Sequence, residues 1–171
     1  MKVVDFFRKN GIDLEGKTLL VAASGGPDSM ALLDMLKNLQ AKKNFQLMAA
    51  HFNHQLREDS EEESELLKKY CDEKNVPLFI AKWPKEEQPQ VGIEAAARHA
   101  RYAFLTQIAK ENKADYLLTA HHGDDLLENI LLKFIRSGNP EEMNSLQRVG
   151  EMHGVKLLRP LLGYTKDELL Q

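Results

Sequence analysis

The chain has 171 residues, of which 43% are hydrophobic and 29% charged, and its formal net charge is −3. This length suits one domain with its own core, and the single cysteine excludes a disulfide-stapled secreted fold. The charge excludes a general attraction to nucleic acid, so RNA contacts must come from a local basic patch or from parts outside this chain. Because no apolar run is long enough to cross a membrane, we expect a cytoplasmic protein.

Strands and helices are predicted to alternate along the chain. Residues 1–11 resemble a short amphipathic helix that ends at Asn-Gly, and four later apolar runs predict strands with helices between them. The predicted strands cover residues 18–23, 46–53, 77–81 and 116–120, and the predicted helices cover residues 27–36, 60–75, 93–112 and 124–136. Such strand, helix, strand repeats predict an α/β fold with a doubly wound, Rossmann-like parallel sheet that binds ligands at the carboxyl ends of its strands.

Other features concern helix ends and irregular segments. Ser60 and Glu63 form a capping box, which predicts the start of a helix. Residues 82–92 are polar and contain prolines, which favours a surface loop that can move over the site, and residues 137–154 are predicted to be irregular. Thr165 and Glu168 form a second capping box close to the last residue. We therefore expect the chain to stop inside a helix and to be a fragment of a longer protein, with a frayed natural terminus as the alternative.

The turn after the first strand has the sequence Ser24-Gly25-Gly26-Pro27-Asp28-Ser29. Its two glycines let the backbone approach a ligand closely, and the amides at the start of the next helix favour a phosphate. Since the lysine of a Walker loop is missing, Asp28 beside phosphates predicts a bridging Mg²⁺. The hydroxyls of Ser24 and Ser29 could complete the cradle. The alternative is a turn and helix cap without a ligand.

A second group of polar residues lies near the start of the long helix. Glu94, Arg98 and Arg101 are spaced by four and three residues, so they share one stripe of that helix. The guanidinium of Arg98 suits a phosphate or a developing oxyanion, with Glu94 orienting it. An ordinary exposed ion pair is the alternative, and the residues alone favour it.

Two further groups follow strands. Asp125 and Glu128 lie one helical turn apart and form a negative site that suits an ammonium-bearing ligand. His54 and Arg57 follow the second strand, beside the point expected to receive adenine and ribose, and backbone groups near Phe52 are placed to read the adenine. His51 is interpreted as an ordinary loop histidine with satisfied ring nitrogens.

The turn at residues 24–29 resembles the loop of the pyrophosphate-loop ATPases, which cleave ATP between the α and β phosphates to adenylate a carbonyl oxygen or a carboxylate. Further segments resemble the tRNA(Ile)-lysidine synthase family within that group, and the resemblance runs from about Leu19 to Leu169. These segments are His51-Phe52-Asn53-His54-Gln55-Leu56-Arg57, Gly92-Ile93-Glu94-Ala95-Ala96-Ala97-Arg98 with Arg101-Tyr102, and Thr119-Ala120-His121-His122-Gly123-Asp124-Asp125-Leu126-Leu127-Glu128.

The resemblance implies a fold of the adenine nucleotide alpha-hydrolase type and a ligase. This ligase adenylates carbon 2 of the wobble cytidine of tRNA(Ile) and joins lysine to it. ATP and Mg²⁺ are the implied cofactors, and tRNA(Ile) with a CAU anticodon and free L-lysine are the implied partners. Residues 1–171 would form the catalytic domain, with the C-terminal tRNA-binding domains of the family absent and a homodimer left open.

The resemblance also assigns roles to residues of this chain. The implied catalytic residues are Asp28, Arg98 and His122, and Asp28 also holds Mg²⁺ through ATP. The implied lysine contacts are Glu94, Asp125 and Glu128. The implied ATP contacts are Ala22, Ser24, Gly25, Gly26, Asp28, Ser29, Phe52, His54 and Arg57.

Three other functions stay open at this point. A tRNA thiolase shares the loop, but such relatives generally need cysteine pairs, and this chain has one cysteine. An amidating synthetase would use ammonia in place of lysine. A nucleotide-binding module without catalysis would bind ATP and release no pyrophosphate.

Overall fold

The computed structural model describes residues 2–55, 60–120 and 149–160. Four α-helices and six strands lie in these ranges, with a short 3₁₀ helix at Lys85–Glu87. The helices are α1 Lys2–Lys9, α2 Pro27–Leu39, α3 Ser60–Lys74 and α4 Ile93–Glu111. The strands are β1 Thr18–Ala22, β2 Gln46–Asn53, β3 Leu78–Lys82, β4 Tyr116–Thr119, β5 Val149–Met152 and β6 Val155–Leu158.

The six strands form one sheet in the order β3-β2-β1-β4-β6-β5. The first five strands of this order are parallel, and β5 is antiparallel to β6 at the edge. Because β2 and β4 pair with opposite sides of β1, the carboxyl end of β1 is a switch point, where an open α/β sheet binds ligands. The predicted α/β fold with a parallel sheet is confirmed.

Helices cover both faces of the sheet. Leu19 and Val21 of β1 are fully buried against α1, α2 and α3, whereas Leu20 is fully buried against α4 on the other face. A parallel strand covered on both faces needs an uninterrupted apolar run, which residues 19–21 provide. The apolar clusters on the two faces of the sheet hold β1 rigidly, so the turn that follows β1 starts from a fixed point.

The prediction that residues 137–154 are irregular is wrong at its end, because β5 covers Val149–Met152. His153 and Gly154 form a two-residue turn between β5 and β6, with left-handed φ angles of 51° and 83°. Left-handed geometry at both central positions is typical of a type I′ hairpin turn. The sequence signal for this turn was the pair His-Gly between two short strand segments. The predicted helix at 124–136 and the capping box of Thr165 and Glu168 lie outside the described residues.

Two predictions about α3 and its surroundings need correction or detail. Ser60 begins α3, but its buried hydroxyl has no hydrogen-bond partner among the described residues, so the half of the capping box that this hydroxyl would supply is absent. In the segment 82–92, the only tryptophan of the chain, Trp83, is 7% exposed. The Gln88 amide donates to the carbonyls of His54 (3.0 Å) and Trp83 (3.3 Å). These contacts anchor that segment to the end of β2, and its movement over the site stays a prediction.

Of the helices that the structure describes, none is long and apolar enough to span a membrane.

Candidate functional site

A cavity of about 240 Å³ lies at the carboxyl ends of β1, β2 and β4. Its walls come from these strand ends, from the first turns of α2 and α3, and from the middle of α4. The predicted site residues that line it are Ala22, Ser24, Asp28, Ser29, Phe52 and His54. The structure therefore brings the glycine-rich turn and the end of β2 together around one cavity.

Serine hydroxyls organise the glycine-rich turn. The Ser29 hydroxyl oxygen lies 3.1 Å from the Ser24 amide nitrogen and 3.2 Å from that of Gly25, and accepts hydrogen bonds from both. The Ser24 hydroxyl oxygen accepts a third from the Gly26 amide (3.2 Å). The two serines thus hold the turn in its shape from inside. The first-turn amides of α2, which lack a carbonyl one turn earlier, are the ones that helix geometry directs outward to an anion.

Gly25 is required by space as well as by conformation. Its φ is +86°, and a Cβ there would meet the backbone oxygen of Glu63 at 2.6 Å. The first turn of α3 therefore packs directly against the loop, and no larger residue fits. Gly26 has an extended backbone, and a Cβ there would lie 3.4 Å from the Ser24 hydroxyl, so it is less constrained.

Carboxylates stand beside the loop. Asp28 is half-buried in the first turn of α2, just after Pro27 at the first helical position, and the half-buried Glu63 of α3 also lines the cavity. Within the described ranges no group of three His, Cys, Asp or Glu residues could hold a metal by itself. This donor set fits Mg²⁺, which commonly takes one or two carboxylates and completes its shell with phosphate oxygens and water.

The stripe on α4 reaches the cavity through a different arginine from the one predicted. The half-buried Arg101 lines the cavity. Glu94 and Arg98 are exposed and are not among the described residues that line it. The guanidinium carbons of Arg101 and Arg98 lie 5.0 Å and 5.7 Å from the centre of the Tyr102 ring. Arg101 was visible in the sequence as a member of the stripe, but only the packing of α4 shows which member faces inward. The roles of Arg98 and Glu94 stay predictions.

Two buried residues near Arg101 were given no role in the site from the sequence. Tyr102 is buried and lines the cavity, and it is hydrogen-bonded to Arg159, whose side chain is 1% exposed. Burial lowers the pKa of Arg159. Tyr102 opposes this shift, and the nearby charge of Arg98 adds to it. Arg159 follows β6 directly, so it stands at the carboxyl edge of the sheet. An arginine placed straight after an apolar strand is the signal that could have found it.

An apolar wall closes the side near β2. The ring of Phe52 lies 6.0 Å from that of Phe104 and 6.5 Å from that of Trp83, measured between ring centres. Phe52 is half-buried and lines the cavity, as does the half-buried His54. Aromatic and apolar walls of this kind suit a flat base. Arg57, His122, Asp125 and Glu128 lie outside the described residues, so their predicted roles stay predictions.

The fold and the site together define a class. A parallel α/β sheet with a glycine-rich turn at its switch point, and with the start of a helix directed at a cavity, is a nucleotide-binding domain. The chain matches the PP-loop domain family over residues 2–171 and belongs to it.

Curated relatives share one name. The chain is 56% identical over 170 residues to the tRNA(Ile)-lysidine synthase of Lactobacillus johnsonii and 56% identical over 167 residues to that of Lactobacillus gasseri. It is 39% identical over 153 residues to that of Lactiplantibacillus plantarum. These matches cover 99%, 98% and 90% of this chain, and 39%, 39% and 34% of the respective relatives. The chain thus spans about two fifths of the length of the first two relatives.

Solved structures share the fold. A U34-tRNA thiolase from Methanococcus maripaludis, described with its [4Fe-4S] cluster, matches with a TM-score of 0.82 at 20% identity, over 99% of this chain and 60% of that one. A Candida glabrata FMN adenylyltransferase, in complex with FMN and an ATP analog, matches with a TM-score of 0.55 at 12% identity, over 99% and 53% of the two chains. At these identities the likeness concerns the fold alone.

Proposed function

We propose that this chain is the ATP-binding catalytic domain of a tRNA(Ile)-lysidine synthase. Such an enzyme adenylates the carbonyl oxygen at carbon 2 of the wobble cytidine of tRNA(Ile) and then joins lysine to carbon 2 to form lysidine. One observation carries the proposal: a glycine-rich loop, preformed by Ser24 and Ser29, opens on a cavity that is also lined by Asp28 and Arg101. The 56% identity to relatives of that name supports the choice of substrate.

The loop side of the cavity is proposed to bind the triphosphate. The first-turn amides of α2 would face the phosphates, and Asp28 would hold Mg²⁺, which would supply positive charge beside the pyrophosphate group. Arg101 contributes a second positive charge from α4. The aromatic wall around Phe52, together with His54 and Arg57, receives adenine and ribose.

The reaction has two steps, adenylation and then displacement of AMP by lysine. The oxygen on carbon 2 of cytidine attacks the α phosphorus of ATP, and pyrophosphate leaves with the pair of electrons from the broken bond. The deprotonated ε-amine of lysine then attacks carbon 2, AMP leaves, and the amine gives up a proton. Arg98 and His122 are proposed to act on the reacting atoms, and Glu94, Asp125 and Glu128 to hold free lysine. A cytoplasmic enzyme would meet both substrates in solution.

The rival functions lack a supporting observation. A thiolase needs reactive cysteines, whereas this chain has one, the buried Cys71 of α3, whose pKa is raised by burial to about 11. A module without catalysis would bind ATP at the same cavity and release no pyrophosphate, so the release of pyrophosphate decides it. An amidating synthetase differs only in its nucleophile, so ammonium competition decides it.

The test is an incubation of the full-length protein with radiolabelled lysine, ATP and transcribed tRNA(Ile) bearing the CAU anticodon. We expect label to enter the tRNA with equal release of pyrophosphate, and ammonium not to replace lysine. Asp28→Asn should abolish transfer, whereas Asp72→Asn, which alters an exposed carboxylate of α3, should not. No transfer, while the Lactobacillus johnsonii enzyme labels the same tRNA, would reject the proposal.

A further inference from the structure

A buried histidine connects the glycine-rich loop to α3. His51 lies in β2, is 4% exposed and is one of the residues that line the cavity. Its Nδ1 lies 2.7 Å from the carbonyl oxygen of Ala23, and its Nε2 lies 2.7 Å from the hydroxyl oxygen of Ser64 in α3. The sequence interpretation of satisfied ring nitrogens is confirmed, and His51 lies within β2, inside the strand predicted at residues 46–53, and not in a loop.

The two partners define the state of the ring. A carbonyl oxygen only accepts, so the hydrogen sits on Nδ1 and is donated to Ala23. In the neutral ring Nε2 then accepts from the Ser64 hydroxyl. Burial lowers the pKa of His51, which favours this neutral form. The hydrogen bond to the Ala23 carbonyl and the nearby Glu63 and Glu61 oppose the shift, and Lys68 supports it. A single tautomer is therefore held between the loop and α3.

The position of Ala23 makes this contact more than a core hydrogen bond. The carbonyl of Ala23 and the N–H of Ser24 belong to one planar peptide unit, so they cannot turn independently. His51 holds the oxygen of this unit, and the Ser29 hydroxyl accepts its hydrogen. The backbone amide of Ala23 donates a hydrogen bond to the Ala50 carbonyl of β2, and Ala23 is the last residue before the loop that does so. Beyond it, the direction of the loop depends on this peptide.

We infer that His51 is a positioning residue of the phosphate-binding loop, because its Nδ1 fixes the Ala23–Ser24 peptide from which the loop starts. The inference rests on the proposed binding of ATP by this loop. The contact to Ala23 carries the effect, and the contact to Ser64 contributes to stability alone. His51 touches neither phosphate nor reacting atoms in this account.

Two variants separate the two contacts. In His51→Asn the side-chain nitrogen takes the place of Nδ1, so donation to Ala23 is kept and the Ser64 bond is lost. In His51→Gln the nitrogen takes the place of Nε2, so the Ala23 bond is lost. Ser64→Ala removes the same bond as His51→Asn without touching the ring, and serves as its matched control. Should His51→Gln fail to fold, His51→Ala replaces it.

The first measurement needs no nucleotide. In the full chain, amide hydrogen exchange at Ser24 and Gly25 should be about tenfold faster in His51→Gln than in wild type, the factor expected for the loss of one hydrogen bond of ordinary strength. In His51→Asn and Ser64→Ala it should stay within about twofold of wild type. Equal exchange in all four proteins would overturn the inference, even if the protein binds no ATP at all.

The second measurement is the dissociation constant for Mg·ATP, read from Trp83 fluorescence. We expect it to rise about tenfold in His51→Gln and less than about twofold in His51→Asn and Ser64→Ala. A merely structural role would instead make affinity follow the melting temperature in all three variants, and that result would overturn the inference. Failure of the wild type to bind ATP counts against the proposed function, and the exchange data then decide the inference alone.

Discussion

At the scale of single residues, the loop owes its shape to two hydroxyls and one missing Cβ. Ser29 satisfies two consecutive amides with one oxygen, and its own hydrogen can go to the Gly26 carbonyl at 3.2 Å. Gly25 leaves room for the Glu63 backbone. Each of these contacts is local, so single substitutions test them.

Gly25→Ala should destabilise the protein more than the left-handed backbone alone explains. Gly16→Ala is the matched control, because Gly16 also has a positive φ but nothing within 4 Å of an added Cβ. We expect the free energy of unfolding to fall by about 1–2 kcal/mol in Gly16→Ala. The clash with Glu63 should add a further 1–3 kcal/mol or so in Gly25→Ala, with loss of ATP binding. Urea titration measures the free energy of unfolding of both variants. An equal decrease in the two would show that α3 moves away from the added Cβ without an energetic penalty.

Arg101→Gln should weaken ATP binding, whereas Arg98→Gln should not. Arg101 lines the cavity and Arg98 is exposed, although both approach the Tyr102 ring. Loss of a charge-assisted contact to phosphate should raise the dissociation constant by about tenfold or more. Trp83 fluorescence reads it, since the chain has no other tryptophan. A larger effect from Arg98→Gln would reverse the assignment of the two arginines.

At the scale of elements, α3 and the β5–β6 hairpin are the parts whose roles were not evident. The first turn of α3 forms one side of the loop, and Leu67 and Cys71 bury its inner face. The hairpin adds the last two strands and places Arg159 behind Tyr102. Both elements support the cavity from outside the glycine-rich turn.

The thiol of Cys71 should resist modification in the folded chain. It is 2% exposed, and burial raises its pKa to about 11, so the reactive thiolate is scarce near neutral pH. A thiol reagent such as dithionitrobenzoate should therefore react only as fast as the protein opens, and at once in urea. Rapid reaction with the native chain at pH 8 would mean that α3 detaches from the sheet.

His153→Asn should stabilise the hairpin. His153 has a φ of 51° at the first central position of the turn, where asparagine is favoured in type I′ geometry. We expect a gain of about 0.5 kcal/mol in the free energy of unfolding. His99→Asn, at an exposed site within α4, is the control and should bring no gain. A loss in His153→Asn would show that the imidazole makes a contact worth more than the turn preference.

At the scale of the whole molecule, the His51 site links stability to pH. Burial lowers its pKa in the folded state, so below pH 6.5, its ordinary value, the unfolded chain binds this proton more readily. Its contribution is therefore complete above pH 6.5 and is lost as the pH falls toward the folded pKa. The free energy of unfolding should fall over that window less steeply in His51→Asn than in wild type. Parallel curves in urea titrations would assign the dependence to other groups.

Prediction from sequence succeeded where the signal was local. The stretches at residues 18–23 and 46–53 gave β1 and β2 closely, since a strand buried on both faces is largely apolar. The turn at residues 24–29 was located because Gly-Gly-Pro after a strand is typical of a sharp turn into a helix. The hairpin was missed because its strands are four residues each and its turn uses His-Gly.

The site was predicted only in part, for a related reason. Spacing placed Glu94, Arg98 and Arg101 on one stripe, but the angle at which α4 packs on the sheet decides that Arg101 lines the cavity. The partners of His51 could not be predicted, because Ala23 and Ser64 are 28 and 13 positions away in the chain. No local pattern carries such a contact.

The sequence by itself determined the alternating α/β fold, the place of the glycine-rich turn and the family to which these residues belong, because each depends on neighbours along the chain. Only the tertiary structure decided which arginine faces the cavity, why Gly25 admits no side chain, and how a histidine of β2 holds the start of the loop. Those facts depend on distances between segments remote in sequence, which are set when the helices pack on the two faces of the sheet.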